Sequence, residues 1–188
     1  MALNWGMRIA LQGTVASLHL HPEKQGEALQ SVQQIEVIEA KGIVGQPRRY
    51  FGRVSSRTGL PSKRQVSLIE QEQIAEHAAV LGLKVIPPGA VRANIETSGI
   101  NLVGAVGSQI QIGDAVLFIC EPRDPCEKMD ALCQGLRELM MNNRQGVMAQ
   151  VVRSGKIRVG DSIVVRQPGS ETISEMFDNS ISTPSSVR

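Results

Sequence analysis

Aromatic side chains are nearly missing from this 188-residue chain, which has one Trp, one Tyr and three Phe, 3% of the total. Val, Ile and Leu must supply most of the packing, and these residues favour strands as readily as helices. The shortage also argues against a single-strand nucleic-acid binder, which needs aromatic platforms for its bases. Cysteine is scarce too. Three cysteines, with no CxxC pair and no apolar export segment at the start, predict free thiols in a reduced, cytoplasmic setting. His19, His21 and His77 show no ligand spacing, so no protein-bound zinc is expected. No apolar run approaches the roughly 20 residues of a membrane-crossing helix, so no membrane partner is expected. GxGxxG, P-loop and GxSxG patterns are absent, which leaves the common nucleotide and hydrolase signatures without support.

What is present is enough for one core. With 41% hydrophobic residues, the length predicts a single main domain over residues 1–167. From Pro168 the chain holds Pro, Gly and eight Ser or Thr, and residues 168–188 are expected to be a disordered tail. The net charge of +2 is small, but its distribution is uneven. Between Lys41 and Ile69 stand seven basic residues, Arg48, Arg49 and Arg64 among them, and no acid. That stretch fits an anionic partner and equally fits a solvated basic loop.

Arg8 to Leu20 read as a strand, and the alternation at Ile35 and Val37 gives a second one before a Gly-rich turn at Lys41 to Gly45. A long basic loop, Gln46 to Arg64, follows. Ser67-Leu68-Ile69-Glu70 has the form of a capping box, and Ile74, Ala78 and Leu81 then recur at helical spacing before Gly82. A second helix is expected from Asp124, where Asp124-Pro125-Cys126-Glu127 combines an N-cap acid, an N1 proline and a returning glutamate. Cys126, Met129, Cys133, Leu136 and Met140 would share one face of it. Ile110–Ile119 and Ile157–Val165 each read as strand, Gly-Asp turn, strand. Together these elements predict a mainly β fold with a few helices (α+β), built as a compact closed or nearly closed β-barrel.

Cys126 is the residue with chemical interest. A helix start leaves amide N–H groups unpaired and favours a thiolate, with Arg123 and Lys128 reinforcing this and Asp124 and Glu127 opposing it. Burial as an inert core thiol is the competing reading, and it is the expected one for Cys120 and Cys133.

In order along the chain, GIVGQPRRYF (42–51), RQVSLIEQEQI (64–74), PPGAVRANIETSGINL (87–102), IQIGDAVL (110–117), PRDPCEKM (122–129) and RQGVMAQVVRSGKIRVGDSI (144–163) resemble the MOSC family, named after the C-terminal domain of molybdenum cofactor sulfurase. The resemblance covers roughly Leu11 to Arg166. It implies a mostly β, barrel-like domain that binds the molybdenum cofactor (molybdopterin) or a related anion. Cys126 would be the sulfur carrier and molybdenum contact, with Arg92, Asn94 and Arg123 beside it and the basic residues Arg48, Arg49 and Arg64 holding phosphate. Two positions depart from the family pattern. Gln46 and Ala93 stand where relatives usually carry an acid able to act as ligand or proton carrier.

The resemblance implies a sulfur donor such as a cysteine desulfurase as partner, and a molybdoenzyme as recipient. The family's pyridoxal phosphate chemistry belongs to a separate domain that this chain is too short to include. Two other readings stand beside the sulfur carrier. One is a molybdenum-dependent reductase of N-hydroxylated compounds, which would need a separate reductase because the chain has no iron–sulfur cysteine cluster. The other is a non-catalytic module that binds an anionic ligand or a protein partner.

Overall fold

The computed structural model describes residues 12–166, so the expected tail and the first residues of the opening strand lie outside the described residues. Eleven strands and three helices occur in the order β1 (Gln12–Leu20), β2 (Gln30–Val32), β3 (Gln34–Ile38), β4 (Gly42–Ile43), β5 (Val66–Glu70), α1 (Gln71–Val80), β6 (Ile95–Ser98), β7 (Gln109–Ile112), β8 (Ala115–Pro122), α2 (Lys128–Leu132), α3 (Leu136–Leu139), β9 (Val147–Arg153), β10 (Gly155–Arg158) and β11 (Ser162–Arg166). The main sheet runs β11-β7-β8-β9-β5-β6-β1-β2, and a β11–β1 pairing closes seven of these strands into a barrel. β5 and β6 pair in parallel, whereas the other barrel neighbours are antiparallel. A smaller sheet, β10-β3-β4, packs beside the barrel.

Aliphatic alternation fills the interior. Leu117 and Ile119 on β8, Ile110 and Ile112 on β7, and Val147, Ala149 and Val151 on β9 are all buried in one cluster. Closure removes the free strand edges that would otherwise template aggregation. Of the two Gly-Asp segments, the first is a hairpin joining β7 to β8. The second is not, because β10 pairs with β3 while β11 pairs with β7 and β1. It carries the chain from one sheet to the other. Gly113 and Gly160 take the left-handed backbone that these corners require, at φ +54 and +88.

Both helix starts read from the sequence need correction. Ser67 to Glu70 do not cap α1. They form β5, buried along its whole length, and α1 begins only at Gln71 with no side-chain cap. The Ser67 N–H and hydroxyl both donate to Asn94 Oδ1. β5 is buried along its length and paired on both sides, with β9 and β6, and that pairing outweighed a local capping pattern.

The expected helix from Asp124 is broken in two. α2 spans only Lys128–Leu132, Cys133 is extended, and Gly135 at φ +85 precedes α3. Asp130 explains the break, because its Oδ1 accepts from the N–H groups of Gly135 and Arg137 and so starts α3 instead of continuing α2. Met129, Leu136 and Met140 nevertheless share one buried cluster with Ile69, Ile74 and Ala93, and Cys133 packs against it. Cys126 does not join them. It is exposed. Cys120 is not core either: its neighbours Leu117 and Ile119 face the barrel interior while Cys120 sits half-buried on the strand's outer side.

Candidate functional site

Where the ends of β1, β5, β8 and β9 meet the loops after β4 and before β6, a pocket of about 180 Å³ opens on the surface. Its lining brings together Arg64, Arg92, Asn94, Arg123 and Cys126, five of the seven residues expected from sequence. Arg48 is exposed and lies outside the lining. Arg49 stands just behind it, donating to the Pro22 carbonyl, with its guanidinium 5.2 Å from the centre of the Tyr50 ring.

Arg123 is the best-held cation. It follows β8 directly, its N–H donates to the Gly146 carbonyl at 2.9 Å, and its guanidinium donates to the carbonyls of Val91 (3.3 Å) and Arg92 (3.1 Å). Burial lowers its pKa to about 10, the neighbouring Cys126 side chain opposes this, and Arg64 and Arg92 push it down again. It stays charged at neutral pH. Arg92 occupies left-handed backbone at φ +60, an unusual conformation for a residue with a side chain. Its guanidinium donates to the Glu27 carbonyl at 2.8 Å and approaches His21 Nδ1 at 3.5 Å. Asn94 is buried and ties three strands, accepting from Ser67 and donating to the His19 carbonyl at 3.2 Å. Its role in the lining is to hold the frame.

His21, Tyr50, Gln65, Ser67, Lys128 and Met148 complete the wall with Gln46. His21 and Tyr50 stack, ring centres 4.1 Å apart. His21 gave no spacing signal in the sequence, because its partners come from loops remote along the chain. Gln65 and Ser67 did leave one: polar side chains just before and within an apolar strand that pairs with the strand bearing Met148.

Among the described residues, no Asp or Glu lines this pocket. Arg64 pairs with Glu121 at 3.3 Å on the surface, while Arg92, Arg123 and Lys128 have no carboxylate of the described residues within ion-pair distance. The two departures from the family pattern bear on this. Gln46 is a neutral amide whose Oε1 accepts from the His21 N–H at 3.2 Å, so it adds no charge to offset the cations. Ala93 is fully buried in the second apolar cluster, where a carboxylate would lack partners. The positive charge beside Cys126 comes from Arg123 and Lys128 and not from a long helix, since α2 has only five residues.

The same field acts on His21. Burial, then Arg92, Arg123, Arg49 and Lys128, lower its pKa to about 4. An NMR titration of His21 should therefore show a midpoint near that value, and Arg92→Gln should raise it by about one unit. Sulfate bound in the pocket should raise it as well. By linkage, sulfate affinity should increase as pH falls from the raised, sulfate-bound pKa toward about 4, and a flat dependence across that range would show that His21 does not share the anion's pocket.

No group of three or more His, Cys, Asp or Glu among the described residues is placed to hold a metal ion. No helix among them is long and apolar enough to cross a membrane. The MOSC domain model matches residues 21–164. No curated protein matches the chain. Solved structures with a similar fold include the YuaD protein from Bacillus subtilis, at TM-score 0.68 and 22% identity, covering 82% of this chain and 95% of that one. YiiM from Geobacillus stearothermophilus gives TM-score 0.62 and 17% identity over 85% of this chain and 77% of its own. YiiM from Escherichia coli gives 0.57 and 16% over 84% and 69%. At these identities the likeness concerns the fold.

Proposed function

Because the chain belongs to the MOSC domain family, we propose that it binds the molybdenum cofactor, or a closely related phosphorylated anion, and carries sulfur on Cys126. The observation that carries this reading is an exposed thiol in a pocket whose only charged side chains, among the described residues, are Arg64, Arg92, Arg123 and Lys128. Those residues fit the group: guanidinium forks suit phosphate oxygens, and a thiolate is a soft ligand. At about 180 Å³ the pocket is smaller than a typical ligand cavity of roughly 300–1,000 Å³, so it suits the charged end of a larger molecule. When bound, the cofactor would supply a metal centre with affinity for sulfur ligands.

The chain's own part is the sulfur relay. The Cys126 thiolate attacks the terminal sulfur of a donor persulfide, such as that of a cysteine desulfurase. One S–S bond forms as the donor's S–S bond breaks, the donor departs as a thiolate, and no net oxidation occurs. Arg123 and Lys128 then offset the negative charge of the new persulfide. Their field also draws the anionic donor group toward the pocket.

The other two thiols are poorly placed for this work. Burial raises the Cys120 pKa, which keeps it a thiol at neutral pH, and its Sγ points to the Lys63 and Phe118 carbonyls at 3.5 Å. Cys133 packs against the second apolar cluster. Incubation with a cysteine desulfurase and cysteine, followed by peptide mass analysis, should find one added sulfur on Cys126. Cys126→Ser should reduce labelling to background. An unmodified Cys126 beside a labelled Cys133 would refute the assignment.

A further inference from the structure

A second cavity, about 490 Å³, adjoins the Cys126 pocket, and the two share Arg92 and Lys128 in their walls. Beyond these two cations its lining is apolar: Ala28 and Leu29 before β2, Pro87, Pro88 and Ala90 before β6, and Ala131 and Leu132 on α2. Leu132 is 43% exposed, an unusual placement for a leucine unless something covers it. Among the described residues, no acid lines either cavity. The loop from Pro87 is firmly set, since the Gly89 N–H donates to the buried Glu96 carboxylate at 2.7 Å.

We propose that this cleft takes a molecule other than the cofactor, bound beside the Cys126 pocket: a small, largely apolar organic anion. Its acid group would meet Arg92 and Lys128, and its hydrocarbon would lie along Leu29, Pro88, Ala131 and Leu132. Three features select the ligand class. The cleft has the volume of a small-molecule site, whereas the Cys126 pocket alone does not. The cations sit at the junction, so an anionic end is drawn there while the apolar remainder stays in the outer cleft. Apart from those cations the lining side chains offer no hydrogen-bonding group, so a heteroaromatic edge bristling with donors and acceptors would lose its water partners there.

The test uses 2-naphthoate as probe, followed by amide NMR on the wild-type protein. Saturable shifts should appear at Ala28, Leu29, Ala131 and Leu132, with at least tenfold weaker binding of 2-naphthylmethylammonium. Lys128→Gln should weaken 2-naphthoate several-fold. Ala131→Trp should abolish it while sulfate still shifts the His21 resonance, and Ala28→Trp serves where Ala131→Trp fails to fold. Shifts confined to Tyr50 and Arg64 would overturn the proposal, because they mean plain anion binding in the inner pocket. So would equal binding of the ammonium probe, or concentration-dependent dimerisation that covers Leu132 without ligand. The two readings fail separately. Missing persulfide on Cys126 with intact naphthoate binding sinks the sulfur carrier, and the converse sinks the cleft.

Discussion

Gly146→Ala is expected to destabilise the protein by about 3–5 kcal/mol, a drop in Tm on the order of 10 °C. Gly146 stands at φ +74 just before β9. A side chain there costs about 1–2 kcal/mol from backbone strain alone. The larger penalty is spatial, because a Cβ would overlap the Leu68 carbonyl oxygen and stand 2.8 Å from Ile69 Cα. Both are backbone atoms of β5, buried between β9 and β6, and neither can move without parting the barrel. Gly160→Ala is the control. It has the same sign of φ, +88, but a Cβ there would meet nothing within 4 Å, so it should cost only the backbone strain of about 1–2 kcal/mol. Denaturant midpoints of the two variants separate the terms, and equal losses would mean that space at Gly146 does not matter. Because the Gly146 carbonyl accepts from the Arg123 N–H, any folded Gly146→Ala should also bind sulfate more weakly.

The strands were legible in the sequence because they alternate: Ile110 and Ile112 before the first Gly-Asp turn on the barrel, and Ile35 and Val37 on the smaller sheet, are buried where the period marks them. Closure was only suggested, since the β11–β1 pairing joins segments about 150 residues apart and leaves no local trace. The helix starts misled for one reason. Ser67 and Asp124 have the right chemistry to cap, but the Ser67 hydrogen bonds go to Asn94, and it is Asp130 that turns the chain after α2. Capping patterns report what a side chain can do for its own backbone, and a partner 27 residues away can outbid it. Among site residues, the cations of the motif blocks came together because the blocks lie at the ends of adjacent strands. Arg48 did not, because a loop without regular structure sends neighbouring side chains different ways. The neutral residues Gln46 and Ala93 read as losses in the sequence. In the structure one is a hydrogen-bond acceptor for the His21 backbone and the other is core.

Glu96→Ala should cost about 3–4 kcal/mol, because it removes one member of a buried polar network and leaves the rest unpaired. Glu96 is 1% exposed and His19 not at all. The Ser17 hydroxyl donates to Glu96 Oε2 at 2.9 Å, so His19 Nε2–H donates to Ser17 Oγ, also at 2.9 Å, and Nδ1 lies 3.3 Å from the Ser31 hydroxyl, which is able to donate to it. A neutral imidazole satisfies that pattern, and burial lowers the His19 pKa from its ordinary 6.5 against the pull of Glu96. Between pH 6.5 and the lowered value the unfolded chain takes a proton that the folded chain refuses, so stability falls as pH drops through that window. Without Glu96 the opposing charge is gone and the window widens. The loss should therefore be greater at about pH 5 than at about pH 8, where His19 is neutral in both states. Glu96→Gln keeps the volume and an acceptor for the Gly89 N–H, and should cost only about 1–2 kcal/mol. Its readout extends to the site, because Gly89 anchors the loop that presents Arg92. Sulfate affinity should fall several-fold in Glu96→Ala and little in Glu96→Gln. An equal loss in both would assign the effect to Glu96's charge and not to its grip on the loop.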